Sequence, residues 1–214
     1  MPIDSNLKAT QNSLPKEVTL VAVSKTKPNT AILEAYQAGQ RIFGENKVQE
    51  LVQKAEELPK DIAWHMIGHL QTNKVKFIAP FISLIHAVDS LKLLKEINKR
   101  AEQNNRIIDC LLQVHIATES SKFGFGMEEV ESALNQAKEF KNIRITGLMG
   151  MATFTDYTQQ VVDEFKSLKT VFASIKNEHI TTLSMGMSGD YKLAIEQGST
   201  MIRVGNAIFG HRNK

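Results

Sequence analysis

From Leu20 to its end the chain alternates between two kinds of segment, and this alternation restricts its fold more than any other feature. Strand-like runs rich in aliphatic and β-branched residues read "TLVAVSK", "RIFGE", "IAWHMIG", "LIHAVD", "DCLLQVHIA", "RITGLMGM", "TTLSMGM" and "TMIRVG". Helix-patterned stretches separate them at 30–38, 47–58, 72–78, 90–104, 128–140, 158–177 and 190–197, and a short leading helix is expected near 5–12. Several boundaries carry their own signals. Asn29, behind Pro28, is placed to cap the helix beginning at Thr30, and Ser90 to cap the one that follows Asp89. Gly39 and Gly198 each follow a last helical turn as C-terminal cap residues.

Strict alternation with short connections implies a parallel sheet covered by helices. Eight such units closing on themselves make a (β/α)8 TIM barrel, an α/β fold usually built from about 250 residues and here slightly smaller. No Pro/Gly/Ser-rich linker or low-complexity segment interrupts the series, so 1–214 reads as one domain. A doubly wound open sheet is the alternative. It is disfavoured because no G-x-G-x-x-G follows the first strand, whereas ligand signals gather at the ends of strands one, seven and eight.

Composition narrows the class. With 214 residues, 42% of them hydrophobic, the chain buries a substantial core. Its 26 basic and 23 acidic residues leave a net charge of +3 and are scattered, so nucleic acid is not implied. The start, "MPIDSNLKAT", lacks an apolar signal region. The longest apolar stretch, "FIAPFISLIHAV", is broken by Pro80, Ser83 and His86, and falls short of the roughly 18 residues that a membrane span needs; neither export nor membrane insertion is expected. The single cysteine, Cys110, rules out an internal disulfide, and a cytoplasmic location with Cys110 as core packing fits best.

In a parallel barrel, ligands bind at the C-terminal rim of the strands. The segments after strands seven and eight, "SMGMSGD" and "RVGNAIFG", combine glycines that let backbone N–H groups approach an anion with serine and asparagine donors, and each leads into a helical start. Together they read as a phosphate cradle, although any one of the glycines alone would equally serve a tight turn. Lys25 ends the first strand behind the apolar run 20–23. An amine at a barrel mouth is partly desolvated, which lowers its pKa and lets it form a Schiff base with an aldehyde. A solvated surface lysine is the plain alternative. With a phosphate cradle on the same rim, the aldehyde suggested is pyridoxal 5′-phosphate (PLP). A Schiff-base aldolase for a sugar phosphate is the rival, and it would need a general acid/base beside the lysine, for which no carboxylate pair presents itself.

Arg203 discriminates between these readings. It is a charge inside the apolar run "TMIRVG", two residues before Gly205, and points toward the barrel mouth. As a cofactor ligand it donates to the pyridine nitrogen, which then stays unprotonated and makes the ring a weak electron sink. A structural ion pair is the alternative. His65 and His69 are spaced i, i+4, but Gly68 lies between them where strand passes into loop, so a zinc pair is not expected. His65 either lines the cofactor pocket or packs the strand end. Lys122, in "SSKFGFG", is either an anion ligand or a solvated loop lysine, and "KVQELVQKAEEL" is a charged amphipathic surface helix.

The stretches "AVSKTKP", "FGENKVQE", "WHMIGHLQTNKVK", "SKFGF", "GLMGMA" and "LSMGMSGDYKLAIEQGSTMIRVGNAIFG" closely resemble the YggS/PROSC family of pyridoxal phosphate homeostasis proteins, in order from about Val18 to Gly210. The resemblance implies a fold-type-III barrel like the N-terminal domain of alanine racemase, with PLP bound covalently to Lys25. It implies phosphate contacts from Ser188, Gly205 and Asn206, Arg203 at the ring nitrogen and Asn46 near the cofactor's other face; His65 and Met185 are also expected among the cofactor-binding residues. It further implies a monomer without established turnover that holds PLP and passes it to apo PLP-dependent enzymes; a weak PLP-dependent amino-acid racemase is the alternative. Three positions depart from the family pattern: His115 for asparagine, Thr153 for the proline of "MAP", and Asn206 for threonine or serine. Only Asn206 falls at the expected site. A racemase needs a second base facing the first. In alanine racemase this is a tyrosine on a separate C-terminal domain, and with the last residue at Lys214 no such domain is expected; Tyr36, Tyr157 and Tyr191 fall in or beside helices as surface or packing residues.

Overall fold

Each strand-like run becomes a strand, and their register closes the sheet. The structure, a computed structural model, describes residues 2–119 and 123–210. The strands are β1 (Thr19–Val23), β2 (Ile42–Glu45), β3 (Ala63–Met66), β4 (Leu84–Val88), β5 (Ile108–Gln113), β6 (Ile143–Met149), β7 (Thr182–Met187) and β8 (Met201–Val204). All pair in parallel in chain order, and β8 returns to β1 to complete a barrel. The helices are α1 (Ile3–Asn12), α2 (Asn29–Gln37), α3 (Val48–Glu57), α4 (Val75–Ile78), α5 (Leu91–Gln103), α6 (Val130–Ala137), α7 (Thr158–Ile175), α8 (Tyr191–Glu196) and α9 (Asn206–Phe209). None among the described residues is long and apolar enough to cross a membrane.

Differences from the sequence reading are local. The strand expected through 117 stops at Gln113; beyond it Val114 N–H still donates to the Met149 carbonyl at 2.8 Å and Val114 forms an isolated bridge to Phe125, as the chain leaves the ladder at the rim to form loops. Asn29 does not cap α2. It is the first helical residue, Pro28 holds the cap position, and the Asn29 amide donates instead to Glu57. Ser90 does cap α5, accepting from Leu93 N at 3.3 Å, and Gly39 and Gly198 both take the positive φ that ends a helix. The stretch at 72–78 divides into a 3-10 turn (Thr72–Lys74) and the single turn of α4.

The side-chain period of two along each strand separates two apolar layers. Leu20, Ala22, Leu183 and Ile202 face the helices, whereas Val21, Leu84, Leu111, Met149 and Met201 fill the barrel interior. Full burial of such a side chain contributes roughly 1.5–3 kcal/mol. Cys110 belongs to the outer layer; burial, and then the charge of Asp109, push its thiol pKa up, so it packs as a small apolar group. Beside β1, α1 packs on α9 and α2, with Asn6 donating to the Ile208 carbonyl at 3.1 Å.

Candidate cofactor site at the barrel mouth

The same period of two builds a cavity of about 670 Å³ at the C-terminal mouth. On β1, Val21 lies in the interior layer, while Val23 and then Lys25 line the cavity. On β8, Met201 lies in the interior, while Arg203 and Gly205 line the cavity. Ile67 follows His65 at the end of β3, Met151 follows Met149 at the end of β6, and Asn46 stands just past β2. Met187 at the end of β7, Ser188 and Gly189 just after it, and Asn206 after β8 complete the wall. Lys25 and the glycine loops therefore share one rim and one cavity.

Of the expected site residues, Lys25, Asn46, Ser188, Arg203, Gly205 and Asn206 line this cavity; Met185 and His65 do not. Met185 sits on the opposite strand face, fully buried against the helices. The chain then bulges between Ser184 and Met187, where Gly186 takes φ +96°, and this brings Met187 rather than Met185 to the wall, in register with Arg203. His65 lies below the cavity, its Nδ1 3.0 Å from His86 Nε2. His69 pairs instead with Asp89 at 2.9 Å and stacks on Phe123, and no cluster of three or more potential metal ligands occurs among the described residues. His115 and Thr153 also stand off the cavity, Thr153 bonding Glu164 through its N–H and hydroxyl. Lys122 lies outside the described residues.

Arg203 forms the polar floor. It is 4% exposed, and its Nη1 donates to the Ser184 carbonyl at 3.0 Å and the Ser184 hydroxyl at 2.6 Å, while Nη2 donates to the Gly150 carbonyl at 3.1 Å. A guanidinium has five N–H donors. Three are committed, which leaves two without a partner among the described residues on a side chain that borders the cavity. Burial pushes the pKa down to about 10, with the charge of Asp190 opposing the shift, so the group stays cationic at neutral pH. No carboxylate forms an ion pair with it among the described residues, and the structural ion pair considered above is not made.

The loop carrying Lys25 is held by a charged network that the sequence reading missed. Lys54 Nζ, from α3, donates to the Ser24 carbonyl at 2.8 Å, to Glu45 at 2.8 Å and to Glu50 at 2.7 Å. The Ser24 hydroxyl donates to Glu45 at 2.6 Å, and Thr26 N–H donates to Glu50 at 2.6 Å while Thr26 takes φ +65°. Burial pushes the Glu45 pKa up against the opposing charge of Lys54. The helix "KVQELVQKAEEL" thus does more than face solvent: Lys54 turns inward, 5% exposed, and ties the first rim loop to β2. Lys27 ties the other side of that loop to the carbonyls of Phe209 and Gly210 at 2.9 and 3.0 Å. Across the rim, Gly205 N–H donates to Ser188 Oγ at 3.1 Å and joins the two glycine loops.

The overlooked wall residues Ile67, Met151 and Met187 carry no chemical signal of their own. For the first two, counting by twos from the interior residues would have found them. Helices α8 and α9 have six and four residues, so an anion at these loops would rest on local N–H and side-chain donors more than on a helix dipole.

A closed parallel barrel of this kind is the setting for a family match: residues 2–213 match the family described as alanine racemase, N-terminal domain. Within that class, the chain belongs to the family of pyridoxal phosphate homeostasis proteins. It is 44% identical to the pyridoxal phosphate homeostasis protein of Vibrio alginolyticus over 207 residues, covering 93% of this chain and 88% of that one. PipY of Synechococcus elongatus, solved without PLP, superposes with a TM-score of 0.92 at 37% identity, covering 97% of this chain and 100% of PipY. PipY solved with PLP bound gives a TM-score of 0.88 at 36% identity over the same coverage.

Proposed function

We propose that the chain binds PLP at the barrel mouth and acts as a holder that releases it to apo-enzymes. In this reading Lys25 anchors the aldehyde as a Schiff base, Arg203 faces the ring nitrogen, and Ser188, Gly205 and Asn206 serve the phosphate. The observation that carries it is that a lysine, a buried arginine with two uncommitted N–H groups and two glycine loops line one cavity. Its volume falls within the usual range for small-molecule sites, about 300–1,000 Å³. PLP supplies an aldehyde that condenses with a primary amine, losing one water, and an anionic phosphate.

The chain's own residues fit each end of such a ligand. The permanently charged guanidinium suits an acceptor nitrogen and disfavours its protonation. The side-chain amides of Asn46 and Asn206 have no hydrogen-bond partner among the described residues and both border the cavity. At Asn206 an amide N–H donor replaces the hydroxyl expected from the family pattern. Apart from Lys25, the described lining contains no histidine, tyrosine or carboxylate. A racemase needs a second base across the substrate, and this lining supports retention and release over turnover.

Two measurements test the reading. Borohydride reduction of the chain mixed with PLP is expected to fix the label on Lys25, and Lys25→Ala to abolish both the label and the cofactor absorbance band. Loaded protein mixed with an apo aminotransferase is expected to restore activity faster than the matched free-PLP control. No label on Lys25 overturns the anchor, and transfer no better than free PLP overturns delivery; racemisation of alanine or serine that vanishes in Lys25→Ala would favour an enzyme.

A further inference from the structure

Below the cavity, four polar side chains from four strands touch in sequence. Arg203 Nη1 (β8) lies 2.6 Å from Ser184 Oγ (β7), His86 Nδ1 (β4) lies 3.1 Å from that hydroxyl, and His86 Nε2 lies 3.0 Å from His65 Nδ1 (β3). Ser184 and His86 are fully buried, and His65 is 5% exposed. Neither the cavity lining nor the ligand contacts proposed above use the serine or the two histidines. Polar groups placed this deep in a barrel otherwise filled by Val21, Leu111 and Met149 are costly unless every bond is satisfied.

We propose that Ser184, His86 and His65 are positioning residues for Arg203, forming a hydrogen-bond chain in which each group donates to the next, away from the guanidinium. The direction follows from donor inventory. A guanidinium only donates, so Ser184 Oγ accepts from Nη1. The serine hydrogen then goes to His86 Nδ1, its other polar neighbour at hydrogen-bond distance. His86, accepting at Nδ1, carries its own hydrogen on Nε2 and donates it to His65 Nδ1. His65 in turn is protonated on Nε2. The reverse polarity would aim two donors, from Arg203 and His86, at a serine whose own hydrogen had lost its acceptor. Both imidazoles are held neutral, as this order requires: burial pushes His65 down to about 3 and His86 well below the usual histidine range, the latter also disfavoured as a cation by its neighbour His65, with which it could not share two charges, and by the Arg203 charge.

The chain orients a side chain that is otherwise long and rotatable. Arg203 Nη1 is fixed by both oxygens of Ser184 and Nη2 by Gly150, so the two remaining N–H groups keep one direction. Pre-ordering a donor in this way lowers the cost of binding an acceptor. The effect on a ligand rests on the PLP reading, but the direction of the hydrogen bonds does not, and the experiment keeps the two apart.

Nitrogen-15 NMR of the histidine rings in the full chain without cofactor reads the tautomers directly. Both His65 and His86 are expected to be neutral with the hydrogen on Nε2, unchanged from pH 8 to pH 5. A hydrogen on Nδ1 of His86, or an imidazolium at neutral pH, overturns the proposed order. A PLP titration of Ser184→Ala is expected to show about tenfold weaker binding, the worth of one hydrogen bond to a charged group, and a displaced pH for the absorbance change of the bound cofactor. Ser184→Thr, which keeps the hydroxyl, is expected to restore both. Folded Ser184→Ala with unaltered affinity and spectrum overturns the positioning role. Failure of the unaltered chain to bind PLP, with the tautomers as stated, sinks the cofactor reading while supporting the donor chain.

Discussion

Val21 and Arg203 are register partners on the neighbouring strands β1 and β8, and Lys25 lies two inward positions beyond Val21. At about 3.3 Å per residue, four residues along the chain place the lysine backbone up to roughly 13 Å beyond the level of the Arg203 backbone, and both side chains are long and border the same cavity. A ligand touching both would run from rim to floor, with the amine at its upper end and the arginine beneath. The glycine loops then meet it from the β7–β8 side, where Ser188 and Gly205 are already bonded to each other.

Replacing Arg203 by methionine removes the floor donors while keeping most of the volume. Hydrogen bonds to a charged group contribute about 1.5–3 kcal/mol, so PLP affinity by equilibrium dialysis is expected to fall roughly 10- to 100-fold. Affinity unchanged in folded Arg203→Met would show that the ligand does not contact this side chain.

Acid is expected to destabilise the fold through His65 and His86. Both have folded-state pKa values depressed below the ordinary 6.5, His65 to about 3. Between these limits the unfolded chain binds a proton on each ring that the folded chain does not. Stability therefore falls as pH drops below about 6.5, by up to ~1.4 kcal/mol per pH unit for each histidine. Urea unfolding at pH 7.5, 6 and 5 measures this, and His86→Phe is expected to flatten the slope.

Lys54→Met is expected to destabilise the chain by about 3–5 kcal/mol, because it strands the fully buried Glu45 carboxylate without its cation. Glu45 Oε2 already lacks a partner among the described residues. The double variant Glu45→Gln/Lys54→Met is expected to recover part of the loss in thermal unfolding. A single variant as stable as the parent would mean that the network holds the Lys25 loop without contributing to the fold.

Gly68→Ala tests the closeness of β2 and β3 at the rim. A Cβ there would lie 2.5 Å from the Asn46 carbonyl oxygen and 2.8 Å from its Cα, so backbone must shift. Overpacking of this kind typically costs about 1–3 kcal/mol. A lower Tm accompanied by weaker PLP binding is expected, since Asn46 and Ile67 both line the cavity.

The alternation of apolar runs with helical periods was enough to give eight strands and their chain order, because both follow from local periodicity and the right-handed crossover of parallel strands. Lys25 and Arg203 were legible for the same reason: a charge at or inside a strand run is conspicuous against apolar neighbours. Met185, in phase with the outward-facing Leu183, was misplaced, and Met187 was missed because the bulge at Gly186 turns it inward and nothing in "LSMGMSGD" announces a bulge.

The sequence by itself determined the barrel, through patterns that repeat every two or three to four residues, and it made the charged residues at two strand ends conspicuous. Only the tertiary structure decided what lies beneath and behind them. His86 meets Ser184 across 98 positions of chain and Lys54 reaches the Ser24 carbonyl across 30. Such contacts are set by the closure and register of the sheet, which bring together residues whose local sequences carry no trace of one another.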